Sequence, residues 1–324
     1  MAAGAGDRPD DGEVPLPHQP VMLAEVLAHL NPSAGQVMAD ATVGCAGHGR
    51  EILRRLLPGG QLIGVDRDVR MLHLAKRALS PFPRAGYRLF EGSFTSLAEV
   101  LDQAGLEALD GILLDAGFCS AQMDDPERGF SYRTDGPLDM RYAPGEATAA
   151  DLLNRLGAGE LERIFRAYGE ERWAGRIARR IVRERQSAPL TRTDRLAGLI
   201  ARAVPSGRRR RHPARRVFQA LRIAVNQELD HLERFLDLAP RLLAEGGRLV
   251  VLTYHSLEDR LVKSALQRHA RAGAMSVTTR RVVRPRPEET HANPRARSAR
   301  LRAAVRLRPA GGPPQGWAPD GGSA

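Results

Sequence analysis

The first third of the chain alternates between short apolar runs and segments with helical spacing. Residues 37–39 form an apolar run that ends on Asp40, and residues 62–65 form a second run that ends on Asp66. Between them, a turn of small residues over 44–49 is followed by Ile52, Leu53, Leu56 and Leu57, which recur at the spacing of one helix face. The pattern predicts a strand, a turn, a helix and a strand, with a carboxylate at the end of each strand.

The same alternation continues to Asp115 and then stops. The pattern predicts helices over 21–30 and 68–79 and from residue 97, and strands over 87–90 and 110–115. Beyond Asp115, residues 116–146 are polar and rich in turn-forming residues, and residues 147–240 are mostly helical in their spacing. The chain therefore begins as an α/β fold and changes character in its middle.

The helical block and the end of the chain give five further predicted elements. Residues 193–204 and 217–238 each predict a helix inside the block. A buried-strand pattern returns only at residues 247–254, and two antiparallel strands are predicted at 276–283 and 299–307. A helical block between two central strands indicates an inserted domain.

The predicted domain organisation follows from these changes of pattern. One α/β domain is discontinuous, over residues 18–123 and 241–308, and an inserted helical domain occupies residues 124–240. The first 17 residues are rich in Gly, Pro and Asp and are predicted to be disordered. The Gly- and Pro-rich residues 309–324 are predicted to form a flexible tail.

The charge of the chain points to a polyanionic partner. Lys and Arg number 49 against 38 acidic residues, which gives a formal net charge of +11. A GC-rich genome would explain the preference for Arg over Lys, but not the excess of cations, so nucleic acid is favoured over a membrane surface. The chain shows no signal peptide, no membrane-spanning run and no disulfide framework, so we expect a cytoplasmic protein.

The turn after the first strand has the chemistry of a nucleoside site. Its glycines are Gly44, Gly47 and Gly49, and small residues let a ligand approach the backbone at the start of a helix. Asp66, 26 residues after Asp40, can accept hydrogen bonds from ribose hydroxyls. The glycine order differs from the G-x-G-x-x-G of dinucleotide sites, so S-adenosylmethionine is favoured over NAD.

Eight motifs follow one another in an order typical of one family. They are His18-Gln19-Pro20-Val21, Asp115-Ala116-Gly117-Phe118-Cys119-Ser120-Ala121-Gln122, Arg128-Gly129-Phe130-Ser131, Asp135-Gly136-Pro137-Leu138-Asp139-Met140-Arg141, Tyr168-Gly169-Glu170-Glu171, Phe218-Gln219-Ala220-Leu221-Arg222-Ile223, Tyr254-His255-Ser256-Leu257-Glu258-Asp259-Arg260 and Asn293-Pro294-Arg295-Ala296-Arg297-Ser298. In these motifs the chain resembles the bacterial 16S ribosomal RNA cytosine N4-methyltransferases of the MraW/RsmH family.

The resemblance implies a fold, an activity and a set of cofactor contacts. The fold is a class I Rossmann-like methyltransferase domain with an inserted helical domain, and the activity is S-adenosylmethionine-dependent N4-methylation of a decoding-region cytosine. The implied partner is 16S rRNA or the small ribosomal subunit, the implied assembly is a monomer or homodimer, and no metal is implied. The implied cofactor contacts are Ala46, Gly47, His48, Asp66, Phe94, Asp115 and Gln122.

Two residues are candidates for catalysis. Asp115 ends the fourth strand, where it is predicted to hold the cofactor, to accept from the target amine, or both. His255 follows the fifth strand and is a candidate for taking the released proton. The alternative for His255 is a structural histidine that orders the turn beginning the HSLED motif.

The predicted RNA-binding residues lie in the insert. Between residues 195 and 227 the sequence has nine arginines and no acidic residue, and such a block can neutralise phosphates. Arg215, Arg216 and Arg222 are the preferred candidates, while Arg208–Arg211 also fit a solvated loop. A target base must leave its stack, and Phe118 or Tyr142 could support it there.

The chain departs from the family pattern at the predicted site, which keeps a second hypothesis open. Cys45 and Ala46 replace two glycines of the turn, and Tyr254 stands where phenylalanine is usual. Residues 116–119 also differ from the usual loop. The alternative is a non-catalytic or altered-specificity rRNA-binding ribosome-assembly factor of the same fold. An NAD-dependent oxidoreductase is disfavoured by the glycine order.

Overall fold

A mixed sheet of seven strands runs through the described part of the chain, in the order β3-β2-β1-β4-β5-β7-β6. The strands are β1 (Val37–Asp40), β2 (Gln61–Asp66), β3 (Tyr87–Glu91), β4 (Leu109–Asp115), β5 (Leu243–Thr253), β6 (Met275–Val277) and β7 (Arg300–Arg306). Strands β1 to β5 are parallel, whereas β7 is antiparallel to both of its neighbours. The predicted α/β, Rossmann-like fold class is confirmed.

The computed structural model describes residues 19–117, 123, 125–145, 147–205 and 212–308. Several predictions fall outside these residues: the disordered N-terminus over 1–17, the tail over 309–324, the cofactor contact of Gln122, the base support of Phe118 and the solvated loop at Arg208–Arg211. Within the described residues, no helix combines the length and the apolar character needed to cross a membrane.

Helices cover both faces of the sheet. On one face, α1 (Leu23–Leu30), α2 (Gly47–Leu56) and α3 (Val69–Leu79) pack on inward-facing strand residues such as Met38 and Leu62. On the other face, α4 (Leu97–Ala104), α10 (Glu228–Leu242) and α11 (Ser256–Arg271) pack on the alternate residues, such as Ala39 and Ile63. Adjacent residues of a strand point to opposite faces, so both faces bury apolar side chains and the strands read as continuous apolar runs.

The helical block has its own hydrophobic core. It consists of α5 (Ala149–Arg155), α6 (Ala158–Ala167), α7 (Ala174–Glu184), α8 (Thr193–Ala203) and α9 (Ala214–Asn226). Their buried residues form a cluster separate from those of the sheet, centred on side chains such as Phe165, Ile177 and Leu221. A short helix, α12 (Pro287–Ala292), lies outside this block, between β6 and β7.

The prediction of one helix over residues 217–238 is wrong. Two helices meet at Gln227, whose φ of 50° is left-handed and ends α9 before α10 begins. The apolar spacing continues across this residue, so periodicity alone does not reveal the break. Because α10 packs in the core of the sheet, we propose that the insert ends at Asn226 rather than at the predicted residue 240.

The strand predicted over residues 276–283 is shorter than expected. Strand β6 ends at Val277, although the next two residues still donate their backbone N–H groups to the carbonyl of Ala303 on β7 (3.0 and 3.4 Å). Further along, Val283 forms an isolated bridge with Leu301 through two backbone hydrogen bonds of 2.9 and 3.1 Å. Strand β7 begins beside the end of β5, where Arg300 pairs with Thr253, and runs antiparallel to β5 towards its start.

Candidate functional site

A cleft opens at the sheet edge where the parallel strands end. It has a volume of about 1290 Å³ including its open mouth, and the turns after β1, β2, β3, β4 and β5 all contribute to its wall. Residues of the helical block and of α10 close the remaining side. The carboxyl ends of parallel strands are where α/β folds bind ligands, so this cleft is the candidate functional site.

Small residues shape the turn after β1. Gly44 has a φ of 50° and Ala46 a φ of 61°, and α2 begins immediately afterwards at Gly47. A Cβ added to Gly47 would lie 3.3 Å from the Cβ of Pro20, a contact tighter than normal packing. The turn therefore brings the start of a helix to the cleft, where a ligand can approach its backbone N–H groups.

The structure brings most of the predicted cofactor residues together. Those that line the cleft are Gly47, His48, Asp66, Phe94 and Asp115. Ala46 does not line it: its side chain is fully buried and its N–H donates to the carbonyl of Val43 (2.7 Å). Ala46 therefore sets the conformation of the turn, because its left-handed backbone reverses the chain before α2.

Three acidic residues, Asp40, Asp66 and Asp115, end the neighbouring strands β1, β2 and β4. Burial raises the pKa of Asp40 to about 7, and the charges of Asp115 and Asp66 add to the shift. Burial also raises the pKa of Asp66 to about 6. The pKa of Asp115 is raised by burial as well, against the opposing effect of His48. Protons near neutral pH thus relieve part of the repulsion among these acids.

Asp66 is positioned to bind hydroxyl groups. Its Oδ2 accepts the N–H of Gly44 (2.9 Å), and its Oδ1 accepts the N–H of Asp68 (2.9 Å). A carboxylate oxygen has two lone pairs, so each oxygen can accept a further hydrogen bond from the cleft. This geometry fits the ribose hydroxyls for which the sequence predicted Asp66.

Asp115 has a defined set of partners at the base of the cleft. Its Oδ2 accepts the hydroxyl of Tyr254 (3.2 Å), and its Oδ1 accepts the N–H of Gly117 (3.2 Å). The Nδ1 of His48 lies 3.9 Å from Oδ2, while His48 Nε2–H donates to the carbonyl of Val21 (2.9 Å). A Cβ on Gly117 would come within 2.4 Å of the Tyr254 ring, so glycine is required for Tyr254 to reach Asp115.

On the side of the helical block, Glu228 and Tyr142 line the cleft, and Glu228 forms an ion pair with Arg222 behind this wall. The Arg222 guanidinium binds both oxygens of Glu228 (2.9 and 3.0 Å), and the hydroxyl of Tyr142 also donates to Glu228 (3.0 Å). Both side chains of the ion pair are 12% exposed. Burial opposes the charge of Arg222, but Glu228, Tyr142 and Glu258 together outweigh burial and raise the pKa of the guanidinium. The structure places Arg222 in an internal ion pair, and its role as a phosphate contact stays a prediction.

The other two predicted RNA-binding residues lie at the surface of α9. Arg216 is exposed, and its guanidinium donates to the carbonyl of Glu170 (3.1 Å). Arg215 is half-buried. Arg216 in particular keeps donors available to solvent, because a guanidinium has five N–H groups. Its role in RNA binding stays a prediction.

His255 is not brought to the cleft. The buried imidazole precedes α11, where its Nδ1 accepts the N–H of Glu258 (3.3 Å) and its Nε2 lies 3.0 Å from Glu258 Oε1. Glu258 in turn reaches the cleft wall, and its Oε2 accepts the N–H groups of Tyr254 (2.8 Å) and His255 (3.1 Å). This network is the structural alternative that the sequence left open, and we propose that His255 positions Glu258.

Two carboxylates in the cleft wall, Glu228 and Glu258, were not among the predicted site residues. Burial opposes the charge of Glu258, but its hydrogen bond with His255 leads a set of interactions that lower its pKa overall. Glu228, His255 and Glu258 each place one atom that could ligate a metal within 4.8 Å of the other two. Because Arg222 already binds both oxygens of Glu228, a guanidinium supplies the positive charge that this acidic cluster needs. The sequence signal that could have identified Glu258 is its position three residues after His255, which is the spacing of a capping box.

The fold and the cleft define a Rossmann-like α/β protein with a nucleoside-cofactor site at the carboxyl edge of its sheet. The model of the MraW methylase family matches residues 15–307, and the chain belongs to this family. The chain is 48% identical, over 310 residues, to the ribosomal RNA small subunit methyltransferase H of Geobacter sulfurreducens, covering 90% of this chain and 99% of that protein. The protein of the same name from Symbiobacterium thermophilum is 47% identical, covering 90% of this chain and 96% of that protein.

Family membership supports S-adenosylmethionine as the cofactor, as predicted. The residues present fit an adenosyl group: Asp66 offers carboxylate oxygens to ribose hydroxyls, and Phe94 lines the cleft with an aromatic ring held edge-on against Phe235 (centroids 5.5 Å apart). We propose that Asp66, Phe94 and the start of α2 hold the cofactor.

Replacing Asp66 with alanine should weaken the binding of S-adenosylmethionine by roughly 1.5–3 kcal/mol, because charge-assisted hydrogen bonds to the ribose are lost. The affinity of the unchanged protein should also fall as the pH drops through about 6, since burial raises the pKa of Asp66 to that value and protonation removes an acceptor. Calorimetric titration between pH 5 and 8 measures both effects. Asp66→Asn is the control: if its affinity depends on pH as the unchanged protein's does, Asp66 is not the titrating group.

Proposed function

We propose that the chain transfers a methyl group from S-adenosylmethionine to the exocyclic N4 of a decoding-region cytosine in small-subunit rRNA. Its relatives are named ribosomal RNA small subunit methyltransferases, and its motifs resemble those of the cytosine N4-methyltransferases. The observation that carries the proposal is the position of Asp115, an acceptor with a raised pKa that lines the cleft at the ends of the parallel strands.

Asp115 can perform the protein's part of this reaction. The cofactor supplies an electrophilic methyl group, and the target amine is a weak nucleophile because its lone pair is delocalised into the cytosine ring. An Asp115 oxygen that accepts an amine hydrogen favours a pyramidal nitrogen, whose lone pair is then available for attack. The methylated nitrogen must lose a proton, and the same carboxylate can take it, since burial raises the pKa of Asp115.

The far side of the cleft suits a base that has left its stack. Tyr142 lines the cleft there and stacks on Phe130, with centroids 5.5 Å apart and planes inclined by 27°. Its hydroxyl donates to Glu228, so the ring is held both by stacking and by a hydrogen bond. A fixed aromatic surface beside polar groups is the usual way to hold an extruded base. All these residues belong to one copy of the chain, which fits a monomer as well as a homodimer.

Mapping methylated cytosines in rRNA from a deletion strain tests the proposal. One decoding-region cytosine should lose its N4-methyl group and regain it when the unchanged gene is returned, but not with the Asp115→Asn variant. If rRNA methylation is unchanged in the deletion strain while small subunits accumulate as precursors, the chain is instead the assembly factor considered above. Labelled S-adenosylmethionine with purified protein and small subunits checks the transfer directly.

A further inference from the structure

The connection between β6 and β7 carries a group of exposed arginines that the cleft does not use. They are Arg280, Arg281, Arg284, Arg286, Arg295 and Arg297, and we call them the arginine surface. The connection itself contains two acidic residues, Glu288, which is exposed, and Glu289, whose Oε1 accepts the N–H of Met22 (2.5 Å). The surface is therefore strongly positive.

The register of the sheet places this surface at the same edge as the cleft. Asp115 pairs with Leu252 across β4 and β5, Leu252 pairs with Leu301 across β5 and β7, and Leu301 is bridged to Val283. Val283 is thus three strand spacings from Asp115 along one row, a distance of roughly 14 Å. Arg284 follows Val283 directly in sequence, and Arg281 precedes it by two residues.

The segment is fixed to the sheet rather than loosely attached. Thr279 is buried, and its hydroxyl accepts the N–H of Ala303 (3.0 Å) on β7. The bridge at Val283 holds the middle of the segment, and Ala296 is fully buried near its end. Arginines on a backbone held in this way lose less conformational entropy when they bind a partner.

The charges of this surface are largely uncompensated. Within the described residues, Arg280, Arg281, Arg284 and Arg297 form no ion pair, and Arg286 pairs with Glu25 (3.2 Å). Arg222, by contrast, is committed to Glu228 inside the protein. No carboxylate of the described residues therefore neutralises these four arginines, and a polyanion is the partner that fits them.

We propose that the arginine surface binds phosphates of the RNA substrate beside the target nucleotide. The proposal rests on the function proposed above, because it is the closeness to Asp115 that favours RNA over a membrane or an acidic protein.

The test compares two triple variants that remove the same charge. One is Arg280→Gln/Arg281→Gln/Arg284→Gln; the control is Lys76→Gln/Arg77→Gln/Arg84→Gln, whose three exposed cations lie at the opposite edge, between the end of α3 and the start of β3. Affinity for small-subunit rRNA transcribed in vitro is measured from 50 to 300 mM salt. The first variant should bind at least about tenfold more weakly at 100 mM salt, with the salt slope reduced by about two to three.

The control should change the affinity less than about twofold, and both variants should keep the unfolding temperature and the affinity for S-adenosylmethionine of the unchanged protein. Equal RNA affinity in the two variants would overturn the proposal. So would a first variant that loses binding to vesicles of anionic lipid but keeps RNA binding, which would indicate a membrane surface. RNA affinity is measured separately from methyl transfer. If the wild-type protein binds RNA without methylating it, that result counts against the proposed function alone.

Discussion

Replacing Asp115 with asparagine should slow methyl transfer by about 10²–10⁴-fold, the range that positioned acid–base groups contribute. Asparagine keeps the size of the side chain, and its amide oxygen can still accept the N–H of Gly117 or the hydroxyl of Tyr254. It cannot take a proton, and it offers the amine a weaker acceptor. Single-turnover transfer to small-subunit rRNA, with saturating cofactor, measures the loss without the step of product release.

Tyr254→Phe is the matched control for this variant. Burial raises the pKa of Asp115, and the Tyr254 hydroxyl acts in the opposite direction by stabilising the carboxylate. Removing the hydroxyl should therefore raise the pKa of Asp115 further. Transfer that requires the ionised carboxylate rises with pH, so the acidic limb of the profile should move to higher pH in Tyr254→Phe while the plateau changes little. An unmoved profile, or an Asp115→Asn variant with the original rate, would exclude Asp115 as the acceptor.

The parts of the site that could be predicted from sequence depend on local rules. Buried parallel strands appear as apolar runs, and their last residues necessarily gather at one edge of the sheet. Asp66 and Asp115 each end such a run, so both were placed in the cleft before any contact was known. Gly47 followed from the need for a small residue at the start of a helix beside a ligand.

The remainder depends on contacts that residue type does not reveal. The sequence of a basic helix does not show whether one of its arginines faces solvent or a buried acid. Arg222 meets Glu228 only because the chain turns at Gln227. His255 was ambiguous for a similar reason, since its role depends on which way its ring points. The arginine surface was overlooked because its link to Asp115 passes through β7, a pairing that spacing along the chain cannot show.

Replacing Arg222 with leucine should destabilise the protein by roughly 3–5 kcal/mol, the cost of leaving one partner of a buried ion pair uncompensated. The arginine and Glu228 are each 12% exposed, so little water can replace the guanidinium. Urea unfolding, with the midpoint and slope fitted together, measures the loss.

Two further variants show whether the loss comes from the buried charge. Arg222→Leu/Glu228→Leu removes both charges, and it should recover a large part of the stability, since apolar pairs of similar volume often replace buried ion pairs without cost. Arg216→Ala removes an exposed arginine of the same helix, whose guanidinium donates to the carbonyl of Glu170. This change should lower the free energy of unfolding by no more than about 1 kcal/mol. If the double variant is as unstable as Arg222→Leu, the loss is one of packing. A single variant that keeps its stability but loses RNA affinity would return Arg222 to the surface role predicted from the sequence.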